Sequence, residues 1–133
     1  MEIIRELLEE HDLIERELLE LETIINEEEI NYSNLIHTCK KLHQLWEEHE
    51  IKEEKFFPEL SNKGFRIPVT ILHFDHVALK SHKQKLYLAI KSGNNFAVQK
   101  ALHIDLEIII AKLRAHIKKE ETILYTIPEN LLS

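Results

Sequence analysis

Apolar residues recur at alternating three- and four-residue intervals along four stretches of the chain, the period of one face of an α-helix. The first seam is Ile4, Leu7, His11, Ile14, Leu18, Leu21 and Ile25; the second is Cys39, Leu42, Trp46, His49, Glu53 and Phe56. The third runs Val69, Leu72, His76, Leu79, Lys83, Leu86 and Ile90, and the fourth Leu102, Leu106, Ile109, Leu113, His116, Glu120 and Ile123. The pattern predicts four helices, over about residues 2–26, 33–57, 68–91 and 96–125. Ser33 is the expected N-cap of the second, and Pro58 should end it, because the residue before a proline is biased away from helical angles. Residues 59–67 then form a loop and Pro68 suits the first turn of the third helix. Ser92 to Asn95 break the pattern before the fourth helix, and Pro128 opens a short tail. Short connections make neighbouring helices antiparallel, so the fold class expected is all-α, an antiparallel up-and-down four-helix bundle in a single domain over residues 1–133.

Seven polar residues interrupt these seams, and apart from Lys83 all are candidate metal ligands: His11, His49, Glu53, His76, His116 and Glu120. Counting back from each turn at about 1.5 Å per residue puts the four histidines near one level of the bundle. His49 and Glu53 are four apart, as are His116 and Glu120, so each pair stacks on one helix face. Unpaired charge in a dry interior costs several kcal/mol or is neutralised, and a bound cation is the simplest remedy. Four imidazoles and two carboxylates exceed the needs of one ion and suffice for two metals bridged by both carboxylates. Nitrogen and oxygen donors without thiolate suit iron, manganese or zinc, and ligand type does not choose among them.

Composition narrows the function classes. Of the 133 residues, 44% are hydrophobic and 31% charged, and two glycines and three prolines leave few tight turns, as a helical protein requires. The net charge of -7 and the lack of a basic cluster argue against a nucleic acid or an anionic membrane surface as partner. No stretch reaches the roughly 20 apolar residues of a membrane span, and the amino terminus opens on an acidic amphipathic pattern. The lone Cys39 reads as a small buried hydrophobe in a reducing compartment, so a cytoplasmic location is expected. His37, His43, His82 and His103 fall off the seams and read as surface residues. Lys83 should carry its charge to the rim, and Glu54 and Glu121 should be exposed or support the ligands, with Glu121 an alternative to Glu120 as a bridge.

The segments E-H-D-L-I-E-R around His11, H-E-I-K-E-E-K-F-F-P around His49, L-H-F-D-H-V-A-L-K around His76 and H-I-K-K-E-E-T-I-L-Y around His116 resemble, in order and over nearly the whole chain, the hemerythrin-like family with its H-H-E cation-binding branch. The resemblance implies two iron ions, oxo- or hydroxo-bridged. His11 and His49 would serve mainly one iron, His76 and His116 mainly the other, and Glu53 and Glu120 would bridge them. The alternative bundle centre, the ferritin-like one, uses E-x-x-H pairs, which do not occur in this sequence. The chain departs from hemerythrins proper in the third helix, where two histidines four apart are replaced by His73 and His76, with Val77 and Lys80 nearby. His73 is a candidate fifth nitrogen ligand, and Glu50, beside His49, is the alternative to it. With five imidazoles, two bridging carboxylates and a bridging oxygen, two six-coordinate irons keep one open position, suited to reversible end-on dioxygen; with four imidazoles they keep two.

The leading functional expectation is therefore a di-iron protein that binds dioxygen or another small diatomic reversibly, as carrier, store or sensor, and is not an enzyme. The alternative is an enzyme or repair factor acting on peroxide or nitric oxide, or donating iron to damaged iron-sulfur clusters. A third reading is a module that reports metal or oxygen status through bundle stability. The absence of a recognisable signalling segment or cysteine-bearing N-terminal segment favours the first. The sequence names no protein partner.

Overall fold

The computed structural model describes residues 2–92 and 102–127, and among these every regular element is helical. Helix α1 spans Glu2–Ile25, α2 Tyr32–Asn62 and α3 Val69–Lys91; a π-helical turn, Leu102–Leu106, leads into α4, Glu107–Tyr125. Among the described residues no helix is long and apolar enough to cross a membrane. The expected helix start at Phe96, the Gly93 to Asn95 break, the tail from Pro128 and the side chains of His103, Ile90 and Leu102 lie outside the described residues.

The seam period is visible in what is buried. On α1, Leu7, His11, Ile14, Leu18 and Leu21 are buried, and the stripe then passes to Ile24 rather than Ile25. That drift is expected of a straight helix at 3.6 residues per turn, which outruns a strict heptad by about 20° per repeat. The same drift leaves Cys39 half-buried while Leu35 and Thr38 are buried on α2.

Two helix ends differ from expectation, for identifiable reasons. The N-cap of α2 is Asn31, not Ser33: its side-chain oxygen accepts the backbone N–H of Asn34 at 3.1 Å, which stabilises an otherwise unmatched amide. At its other end α2 runs through Pro58 to Asn62. A proline inside a helix costs about 3 kcal/mol. Phe57 and Leu60, 3% and 1% exposed, offset this, since burying each such side chain contributes about 1.5–3 kcal/mol. The helix stops at Gly64 instead. Its φ of 95° is left-handed, and the amides of Gly64 and Phe65 reach back to the carbonyls of Ser61 at 3.1 Å and Leu60 at 3.2 Å, closing a Schellman motif.

The described residues divide into two compact units. In the first, residues 1–69 with 117–133, α1 and α2 pack against each other. Lys52 pairs with Glu6 and Glu10, while Lys41 lies 2.9 Å from Glu17. Rising numbers on α1 meet falling numbers on α2, so the two are antiparallel. Leu7, Ile14, Trp46 and Phe56 form the apolar surroundings of the polar seam residues here. The second unit, Thr70–His116, holds most of α3 and the first half of α4. His76 meets His116 and His82 meets Asp105, again an antiparallel register, with Leu72, Leu79, Ile109 and Leu113 buried. The π turn ahead of α4 is not announced by the apolar period.

Candidate metal centre

In the first unit the antiparallel register of α1 and α2 brings His11 and His49 together, and Glu120 on α4 joins them. The two Nε2 atoms are 3.0 Å apart. His49 Nε2 lies 3.0 Å from Glu53 Oε1, one turn along α2, and 3.5 Å from Glu120 Oε2. His11 Nε2 is 3.3 Å from the same Glu120 oxygen. All four side chains are buried, at 2% exposure or less, and each offers a nitrogen or oxygen to a common point.

The second unit contains a matching pair. His76 Nε2 and His116 Nε2 are also 3.0 Å apart. The ring centroids are 4.7 Å apart with planes at 63°, against 4.6 Å and 62° for His11 and His49. On α4, Glu120 follows His116 by one helical turn, as Glu53 follows His49 on α2.

The other ring nitrogens show which atoms turn inward. His49 Nδ1 donates to Glu10 Oε1 at 2.8 Å, and His116 Nδ1 donates to Asp75 Oδ2 at 3.0 Å. His11 Nδ1 faces Glu121 Oε1 at 3.3 Å. A carboxylate only accepts, so these contacts favour a proton on Nδ1 and direct Nε2 inward, where the Nε2 atoms of His11 and His49 meet each other and the Glu53 and Glu120 carboxylates. Two Nε2 atoms 3.0 Å apart must share a positive centre, a proton in the metal-free protein or a metal ion that replaces it. Two metal–nitrogen bonds of about 2.1 Å meeting at a right angle put their nitrogens roughly 3.0 Å apart. The donor set and its spacing thus fit a metal ion with adjacent imidazole ligands.

Charge around the first pair is balanced by Lys52, which contacts both Glu6 and Glu10. Burial pushes the Glu10 carboxyl up, but hydrogen bonds from Lys52 and His49 outweigh it and hold the group below the ordinary carboxylate range. Glu10 and Glu6 in turn push the Lys52 ammonium up to about 12. Glu10 therefore stays an anion, the better acceptor for an imidazole N–H.

The remaining candidates differ in exposure. His73 is exposed on α3. Glu50 is half-buried on α2 and is not one of the four donors that converge in the first unit. Glu54 is exposed, whereas Glu121 is half-buried against the outer nitrogen of His11, and Glu120 takes the inner one. Lys83 is half-buried, and His37 and His43 are exposed. His82 is half-buried, 3.5 Å from Asp105. Sequence reasoning missed Glu10 and Asp75, which lie off the seams. The available signal was that each stands immediately before the first histidine of a pair, as Glu10-His11 and Asp75-His76.

A family model described as the Hemerythrin HHE cation binding domain matches residues 2–127. No curated protein and no solved structure matches the chain.

Proposed function

The chain belongs to the hemerythrin-like HHE cation-binding family, and on that premise we propose that it is a non-heme di-iron protein that binds dioxygen reversibly, as carrier, store or sensor. The observation that carries the reading is the buried convergence of His11, His49, Glu53 and Glu120, with Nε2 lone pairs turned inward and nitrogen and oxygen donors only. His11 and His49 would hold one iron and His76 and His116 the other, with Glu53 and Glu120 as the carboxylate ligands that the family resemblance would share between them. Manganese or zinc satisfies the same donors; iron is favoured by the family. When bound, two ferrous ions supply the electrons that dioxygen takes up and returns.

The protein's own part is to bind, orient and shield. The carboxylates of Glu53 and Glu120 would offset the charge of a cation held there, lowering the cost of burying it near Leu7, Ile14, Trp46 and Phe56. These apolar walls exclude water and slow irreversible oxidation. Lys52 and Glu10 lie outside the ligand set and keep the His49 proton on Nδ1. The lone Cys39 and the charge of -7 support a cytoplasmic protein that uses neither nucleic acid nor a membrane as partner.

One observation favours a second reading. His73 is exposed, and with only the four seam imidazoles two coordination positions stay open. Such a centre suits peroxide or nitric oxide, or iron donated to damaged clusters. Aerated protein is expected to hold about two irons per chain and to show a visible charge-transfer band that disappears under argon and returns in air. Irreversible bleaching with rapid peroxide turnover selects the second reading instead.

A further inference from the structure

The two histidine pairs share a feature that ligand counting does not explain. In each, the acid one residue before the first histidine reaches across to the second histidine on the neighbouring helix: Glu10, beside His11, to His49 at 2.8 Å, and Asp75, beside His76, to His116 at 3.0 Å. The histidine beside each acid turns its Nε2 to the Nε2 of the same partner ring, at 3.0 Å in both pairs. Acid, first histidine and second histidine thus repeat as a crossed unit in both hairpins, although the acids differ in length and their helices differ in sequence.

We infer that Glu10 and Asp75 are positioning residues that set the tautomer and ring orientation of His49 and His116 across the helix pair, so that the Nε2 lone pairs face inward before any metal arrives. The physical reason is the two-sided nature of a neutral imidazole: its proton sits on one nitrogen, and a carboxylate at Nδ1 forces it there. A ligand held in the binding tautomer loses neither a proton rearrangement nor ring rotation when the ion enters. Side-chain choice fits this role. Both acids sit at the edge of the buried region, with 16% and 29% side-chain exposure, while the rings they hold are 0% and 1% exposed. Lys52, bonded to Glu10 and Glu6, fixes the Glu10 carboxylate in turn.

This inference rests on the metal-binding reading, and the experiment separates the two. Ring-nitrogen NMR on the metal-free full chain reports the tautomer of each histidine, and titration with Co²⁺ reports affinity. In wild type both His49 and His116 should carry the proton on Nδ1. Glu10→Ala should shift His49 toward the other tautomer and weaken Co²⁺ by about 10–100-fold, leaving His116 unchanged. Asp75→Ala should do the reverse. Glu10→Gln, whose amide oxygen still accepts, should keep the His49 tautomer and lose less affinity than Glu10→Ala. Local unfolding would disturb both histidines together, so the one-to-one pattern marks positioning. An unchanged His49 tautomer in Glu10→Ala, or equal losses in the Ala and Gln variants, overturns the inference. Failure of wild type to bind Co²⁺ overturns the metal reading instead and leaves the tautomer result standing.

Discussion

Replacing His49 by leucine probes the coupling of metal binding to stability. The ring is fully buried, with Nε2 3.0 Å from both His11 and Glu53 and Nδ1 2.8 Å from Glu10. Leucine occupies a similar volume, so packing against Trp46 and the α1 seam is largely kept. What disappears is one of four converging donors. If that weakens the ion a hundredfold, the stabilisation it confers at fixed free metal falls by about 2.7 kcal/mol. A chain of 133 residues unfolds with an entropy of roughly 0.28 kcal/mol/K, so the metal-induced rise in Tm should shrink by about 10 °C. The assay is a pair of anaerobic thermal melts, with and without ferrous iron, for wild type and His49→Leu. Because the readout is the increment on adding iron, any change in the metal-free fold cancels. An iron-induced rise equal to that of wild type would refute the assignment of His49 as a ligand.

Two further measurements address other parts of the chain. Burial pushes the Cys39 thiol up to about 12 from its ordinary value of 9.0, so the folded protein keeps it protonated where the unfolded chain ionises; alkylation by iodoacetamide at pH 9 should be roughly 500-fold slower native than denatured, and equal rates would contradict the burial. In stability the sign is fixed: the Cys39 contribution is complete below pH 9 and is lost as pH climbs toward 12. Gly64→Ala meets no atom within 4 Å but must adopt a φ of 95°, so it should destabilise by about 1 kcal/mol through backbone strain alone, and unaltered urea unfolding would show that the turn relaxes.

The presence of the helices and the burial of the central seam residues were legible in the sequence because both follow from one period. His11, His49, Glu53, His76, His116 and Glu120 occupy the middle of their seams, and these positions are buried, whereas Ile25, Cys39 and Lys83 are only half-buried. The places where reading failed are those where tertiary burial competes with a local rule. Pro58 signals an end, but Phe57 and Leu60 bury enough apolar surface to carry α2 one turn further. Asn31 outcompetes Ser33 as cap, a choice between two good capping residues that propensity alone does not make. The π turn at Leu102–Leu106 preserves the apolar order while changing the winding, so periodicity is blind to it. Glu10 and Asp75 belong to no seam, and their role emerges only once the neighbouring helix is in place.

The spacing of the paired imidazoles along the chain has a kinetic consequence. His11 and His49 are separated by 38 residues and His76 and His116 by 40, each pair brought together by closing a single hairpin, whereas Glu120 meets His11 across 109 residues. Low-separation contacts form early and distant ones late. During synthesis each imidazole couple can assemble as soon as its own second rod has left the ribosome, whereas Glu120 reaches the first hairpin only later, so an ion captured early would be gripped fully only once α4 is made.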